Sequence, residues 1–444
     1  MKSLLLHGNF LHTVNGHFEI LEDKWITVTS GKIVSIDDHR VPGDFELIET
    51  TPTQFFVPGL IDTHIHAPQY AFLGCGLDLP LLEWLNTYTF PAESKFSDLE
   101  HAKRIYNAVV KRTLACGTTT AVYFATIDKN ASIILADICR SNGQRAYVGK
   151  VSMDRNSPDY YIEKTQEAIE NAKQFVDELL SQNSSLNDDL TSPILTPRFV
   201  PTCSSELMKG LADIHNENPS LLIQSHVSEN LNEIEWVKSL HLDSEHYCGV
   251  YESHGLLNSR TILAHGVHLT DNELQLLAKT KSTIAHCPSS NFQLFSGACD
   301  VRRLQQANVN VSLGTDAAGG ESISMIHSMR NALLCSRAVM FNRRTSNKED
   351  ESSQEKVEEY KPLTVPDVLY LATECGAKAV GLENRIGNFT VGKEFDALLV
   401  DMNAGISDCF GTEKLTDLLD KFVHQGDDRN VIQVYVRGKL VKQI

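Results

Sequence analysis

The chain has 444 residues, 42% hydrophobic and 22% charged, with a net charge of −17. That length exceeds one small core and suits an α/β barrel with an accessory domain. The acidic balance excludes nucleic acid, which needs a basic surface, and leaves neutral small molecules as substrates.

The ten cysteines form no Cys-x-x-Cys pair. Leu4–Leu6 is too short for the apolar core of a secretory leader, and no run approaches the roughly 20 residues that span a bilayer. Reduced thiols, a cytoplasmic address and no membrane contact are the expectation.

In chain order, residues 1–56 read as short strands and turns. Ile26–Thr29, Ser30-Gly31-Lys32 and Ile33–Ile36 form a hairpin pattern, with β-branched residues flanking a glycine turn. Residues 381–444 have the same character, with a strand at Asp396–Asp401 and a hairpin over Val431–Val441. Both ends are expected to meet in one small composite β-sandwich domain.

Residues 57–380 alternate strand and helix. Phe55–Ile61 reads as a fully buried strand, broken only by Pro58-Gly59 near its start, and the run ends in His64-Ile65-His66. Further strands are expected near 117–125, 145–151, 193–199, 221–227, 261–266, 282–287 and 309–314, with helices over 97–115, 160–181, 231–239 and 326–341. Eight β-α units imply a parallel sheet closed into a (β/α)8 TIM-like barrel. The polar stretch 343–361 interrupts the pattern and reads as a solvated surface loop.

Side chains at i and i+2 of a strand share a face, so His64 and His66 point together. Alone, such a pair reads as core histidines. The other strand ends change that reading. The fourth ends at Arg198, the fifth at His226 with Glu229 three residues on, the sixth at His265 and the eighth at Asp316. Reactive groups of such barrels gather at these ends. His64, His66, His226 and Asp316 make an N,N,N,O donor set suited to zinc, or to iron or another divalent ion.

The ion's task would be to lower the pKa of a bound water. His265 is left to hydrogen-bond that water, Asp316 to accept its proton, and Glu229 to carry a proton to substrate. The competing reading of Glu229 is a surface cap of the next helix. His286, before Cys287-Pro288, reads as structural.

The stretch Val57–His66, with His226, His265 and Gly314-Thr315-Asp316, resembles the amidohydrolase superfamily. Within it, the guanine deaminase family matches over nearly the whole chain. The match rests on His66–Tyr70, Leu79–Leu85, Tyr88–Glu93, Tyr123–Thr126, Thr196–Phe199, Ser225–Asn230, Ala285–Asn291, Gly314–Gly320 and Gly426–Asn430.

The resemblance implies one zinc ion per subunit on His64, His66, His226 and Asp316. It implies Glu229 and Asp316 as proton carriers, with His265 orienting the water. It also implies hydrolysis of guanine to xanthine and ammonia, and a homodimer. Gln69, Arg198 and Phe199 match the guanine-binding positions, and a guanidinium fork, an amide and an aromatic face suit a flat neutral heterocycle. Trp84 suits a wall of that pocket, although Leu-Leu-Glu-Trp-Leu has helical core spacing.

Two-metal relatives need a bridging lysine, and neither Arg198 nor Lys150 supplies one. Relatives acting on adenosine, cytosine or triazines share the metal shell, so the pocket residues carry the substrate reading. A non-catalytic scaffold barrel would have lost its ligands, and all are present here.

Overall fold

The computed structural model describes residues 2–349 and 360–443. The N-terminal segment supplies β1 (Leu4–Val14), β2 (His17–Thr29), β3 (Lys32–Asp37), β4 (Glu46–Glu49) and β5 (Gln54–Pro58). The barrel strands are β6 (Leu60–His66), β7 (Thr118–Phe124), β8 (Arg145–Gly149), β10 (Thr191–Pro197), β11 (Leu222–Val227), β12 (Thr261–His265), β13 (Thr283–His286) and β14 (Asn310–Leu313). A two-residue β9 (Val151–Ser152) extends β8 along β10. β15 (Ala397–Asp401), β16 (Val431–Val436) and β17 (Lys439–Gln443) return to the first sheet.

That first sheet runs β17-β16-β15-β5-β1-β2-β3, with β4 beside β1. It is one continuous, mostly antiparallel sheet around a core that includes Leu6, Phe10, Ile26, Phe56, Phe389, Phe395 and Tyr435. The two expected hairpins both turn through a residue–glycine pair with positive φ, Ser30-Gly31 at 51° and 81° and Arg437-Gly438 at 50° and 67°. Both central residues are left-handed, which matches the twist of the flanking strands and favours glycine at the second position.

The barrel order is β14-β13-β12-β11-β10-β8-β7-β6, with parallel ladders throughout and helices between strands. The expected single strand over Phe55–Ile61 is instead two, belonging to different sheets. The break falls at Pro58-Gly59. Gly59 N–H donates to Asp396 O at 2.9 Å, in the small sheet's territory, and Leu60 N–H donates to Gly117 O at 3.1 Å, in the barrel. A Cβ on Gly59 would lie 2.1 Å from Thr119 Oγ1, so only glycine lets the chain cross here.

Two helices differ from expectation. The helix expected from residue 160 starts at Thr165 and ends at Leu186, because Tyr161 is buried and bonds to Glu93 instead of joining the helix. The helix Met325–Glu349 runs on into the expected loop at 343–361. The sequence Arg343–Glu349 is rich enough in Arg, Lys and Glu to propagate a helix already packed upstream. Residues 350–359 lie outside the described residues. No helix among the described residues is long and apolar enough to cross a membrane.

A buried ion cluster locks the two sheets together. Arg145 Nη2, at the start of β8, donates to Glu394 at 2.7 Å and to Asp396 at 2.9 Å. Asp396 also accepts the Arg437 N–H at 2.8 Å.

His12, on β1, gives this region a pH signature. It is buried, its Nδ1 accepts the Phe389 N–H at 3.2 Å, and burial with Lys393 nearby lowers its pKa to about 4. The unfolded chain therefore binds the extra proton between pH 6.5 and 4, so this stability is complete above 6.5 and drains away as pH falls to 4. The shift amounts to about 3 kcal/mol at most. Denaturant titrations across pH 7 to 4 should show wild type losing stability relative to His12→Gln by an amount of that order. A constant difference across the range would contradict the assignment.

Candidate active site

The carboxyl ends of the barrel strands bring the distant residues of the donor set together. His64 and His66 close β6 with ring centroids 5.0 Å apart, and Phe124, at the end of β7, packs against both. His64 Nε2 lies 3.0 Å and His66 Nε2 3.4 Å from Asp316 Oδ1. His66 Nε2 faces His226 Nε2 at 3.2 Å. One ligand atom each from His64, His226, His265 and Asp316 all lie within 4.8 Å of one another.

These contacts make a fit test for a cation. His226 Nδ1–H donates to Arg198 O at 2.6 Å, which leaves Nε2 as a bare lone pair pointing at another imidazole nitrogen and a carboxylate. His64 Nε2 and His66 Nδ1 are buried without hydrogen-bond partners. Burial lowers the pKa of His64, His66 and His226, which favours the neutral, metal-binding form of each imidazole. Burial works against Asp316 ionising, but the imidazoles around it outweigh that and hold its pKa well below the ordinary carboxylate range. Converging lone pairs with no proton to share are resolved by a cation, and this N,N,N,O set suits one.

Five side chains converge on the expected four-donor set, and His265 differs from the other histidines in facing Glu229. His265 Nδ1 is engaged by Asn291 Oδ1 at 2.9 Å, and its Nε2 lies 3.3 Å from Glu229 Oε2 and 3.8 Å from Asp316 Oδ2. Burial alone would lower the His265 pKa, but the Glu229 and Asp316 carboxylates outweigh it and raise it. Both His265 (φ 77°) and Asp316 (φ 48°) hold left-handed backbone, a strained conformation that turns their side chains into the mouth.

Glu229 is not a surface cap. Asn230 caps the helix Leu231–Leu240, while Glu229 is buried and accepts from Ser296 Oγ at 3.1 Å. Burial raises its pKa to about 7, with His265 opposing the rise. It can therefore hold or release a proton near neutrality.

A cavity opens beside this cluster, lined by His66, Gln69, Trp84, Arg198, Phe199, His226, Glu229, His265 and Asp316, with Leu81, Leu85, Glu233 and Leu294. Every residue singled out from the sequence except His64 is in that lining, and His64 sits behind it with its nitrogen on Asp316. Trp84 is both wall and core, because its Nε1–H donates to Cys75 O at 3.2 Å. Lys150 is buried and bonded to Glu163, away from the donors. His286 is buried and neutral, its pKa lowered to about 3 by burial.

Three further residues of the site lie in stretches that carry the resemblance, but the sequence assigns none of them a role. Asp62 accepts the His64 and Thr315 N–H groups on Oδ1 and the Thr315 hydroxyl on Oδ2. Asn291 orients His265. Glu93 holds Arg198, Gln69 and Tyr161 together. Asp62 lies two residues before His64, so its nearness was visible, but its role depends on Thr315.

The profile of the Amidohydrolase family matches residues 55–441. A guanine deaminase of Dictyostelium discoideum is 48% identical over 88% of this chain and 83% of its own length. The Homo sapiens guanine deaminase is 43% identical over 98% of this chain and 96% of its own. A crystal structure of guanine deaminase from C. acetobutylicum with bound guanine in the active site superposes with a TM-score of 0.90 at 35% identity, covering 99% of each chain. This chain belongs to the amidohydrolase family, in the branch occupied by guanine deaminases.

Proposed function

We propose that the chain hydrolyses guanine to xanthine and ammonia, using one zinc ion per subunit held by His64, His66, His226 and Asp316. The observation that carries this reading is one cavity with two unlike walls. One wall is the imidazole and carboxylate cluster. The other is the Arg198 and Gln69 donor pair beneath Phe199.

The bound ion would supply one thing, a water whose pKa is lowered from 15.7 towards about 7. The chain's own groups do the rest. Phe199, Trp84, Leu81 and Leu85 cover the faces of a flat ring and exclude water from it. Arg198 and Gln69 hold the heterocycle by its carbonyl edge, which turns the carbon bearing the amine towards Asp316 and Glu229.

Asp316 Oδ2, free of the His64 and His66 contacts on Oδ1, accepts the proton from the attacking water. Glu229, protonated near neutrality, donates to the adjacent ring nitrogen so that no net charge builds on the ring. His265, held between Glu229 and Asp316, orients the water. The proton on Asp316 leaves with the amine as ammonia, and the proton of the added hydroxyl returns to Glu229 as the new carbonyl forms. The alternative is an amidohydrolase acting on another heterocycle, a deaminase of the adenosine, cytosine or triazine type or a chlorohydrolase, with its substrate bound against the same wall.

The proposed assembly is a homodimer, as the resemblance implies, and its proposed place is the cytoplasm, from the scattered cysteines, to be read by light scattering and fractionation. Ammonia release from guanine, adenine, cytosine and 8-azaguanine tests the substrate. Guanine should be turned over fastest, and a faster rate on adenine or cytosine would overturn the substrate while leaving the metal site standing. Elemental analysis should return about one zinc per chain, removed together with activity by a chelator and restored with it. Glu229→Gln should keep the metal and lose about 10²–10⁴ in kcat. His226→Ala should lose both metal and activity, and a variant that kept full metal content would remove His226 from the ligand set.

A further inference from the structure

Glu93 stands behind the recognition wall. It belongs to the short helix Phe90–Glu93, and its side chain is fully buried. Its two oxygens accept four hydrogen bonds. Oε2 takes Arg198 Nη1 at 2.6 Å and the Tyr161 hydroxyl at 2.9 Å. Oε1 takes Arg198 Nη2 at 3.1 Å and Gln69 Nε2 at 2.9 Å. Four donors fill the lone-pair sites of a carboxylate, so Glu93 has nothing left for a ligand. It does not line the cavity that Gln69 and Arg198 line.

The consequence falls on those two neighbours. The paired bonds from Arg198 make a planar fork, which fixes the rotation of the guanidinium about its own axis. The unused N–H on each terminal nitrogen is then aimed by the fork and not by the ligand. Gln69 is held at both ends, since its Nε2 is on Glu93 and its Oε1 accepts the Ala318 N–H at 3.2 Å. That fixes which end of the amide is donor, leaving one N–H and one lone pair. The guanidinium also lies 5.2 Å over the Phe90 ring, from the same helix. The Arg198–Glu93 pair carries no net charge, so it offers donors to a neutral carbonyl without presenting a bare cation to the pocket.

We propose that Glu93 is the positioning residue for substrate selection: it sets Arg198 and Gln69 as a neutral, pre-aimed reader of a ring carbonyl. This rests on the reading that Arg198 and Gln69 hold the guanine carbonyl edge. Glu93 acts on ground-state recognition through its neighbours, and it touches neither substrate nor the donor set.

The test compares guanine with 2-aminopurine, which keeps the amine and lacks the carbonyl. Glu93→Gln should raise KM for guanine roughly tenfold or more, change kcat much less, and lower the guanine to 2-aminopurine ratio of kcat/KM by roughly tenfold, with metal content unchanged. Glu93→Asp, which keeps the charge, should recover part of the ratio. Arg198→Gln should lower the ratio on its own. If it does not, the reading beneath this proposal fails. If Arg198→Gln lowers the ratio and Glu93→Gln folds but leaves it unchanged, the positioning role fails alone.

Glu93→Gln strands a buried guanidinium and risks unfolding, so Glu93→Gln with Arg198→Gln removes both charges. The double variant should fold, hold metal and lose clearly less discrimination than the two single losses combined, because with Arg198 gone only the hold of Glu93 on Gln69 is left to lose. Fully additive losses in the double variant, or a fall in kcat with KM unchanged in either Glu93 variant, would overturn the proposal.

Discussion

The site depends on how the barrel closes. Residues 62–66 and 312–317 meet at the seam between the first and last strands, and Asp62 is the clasp. Its carboxylate accepts His64 N–H at 3.2 Å, Thr315 N–H at 3.1 Å and the Thr315 hydroxyl at 2.6 Å. Around it, Asp316 N–H donates to His64 O at 2.8 Å, His66 N–H to Ala317 O at 3.1 Å, and Thr63 Oγ1 to Leu313 O at 2.8 Å. These bonds place the histidine doublet against Asp316. Burial pushes the Asp62 pKa up to about 7, a measure of how far the group has been taken from water and of why its three donors matter.

The doublet's strand is therefore fixed at both ends. At the entry, Gly59 crosses against Thr119 and bonds to Asp396, which the Arg145 cluster holds in turn. At the exit, the Asp62 seam fixes the main chain of His64 and His66. Donor sets work when the side chains are held within a fraction of an ångström before the ion arrives, and a strand clamped at both ends achieves that more readily than a loop. The small sheet thus bears on catalysis without supplying a reacting group.

How much of this was legible follows from the range of each interaction. The doublet announced itself because strand geometry alone puts i and i+2 on one face. Arg198, His226, His265 and Asp316 were found by asking which residues end strands. The eight barrel strands and both hairpins were readable because their signals are local. The failures are non-local. Phe55–Ile61 looks like one strand, since nothing in it says that Thr119 forbids a side chain at Gly59. Tyr161 looks like part of a helix until Glu93 claims its hydroxyl. Arg343–Glu349 looks like a loop by polarity, while the helix before it is already nucleated. Glu93 and Asn291 sit in stretches that were noticed, yet their roles exist only through partners far away in the chain.

Arg198 joins the two walls of the cavity. Its carbonyl oxygen takes the proton of His226 Nδ1, which fixes the tautomer and leaves Nε2 for the donor set. Its side chain, clamped by Glu93, lines the cavity. Ser225 Oγ donates to the same carbonyl at 3.3 Å and to Pro197 O at 2.7 Å, tying β11 to the end of β10. A displacement of this residue would disturb both the aim of the guanidinium and the orientation of a histidine donor. Recognition and chemistry are therefore not separable modules here. Because the guanidinium and the amide of the Arg198 and Gln69 wall are already bonded to the protein, that wall is ordered before any ligand enters, and binding energy need not be consumed in assembling it.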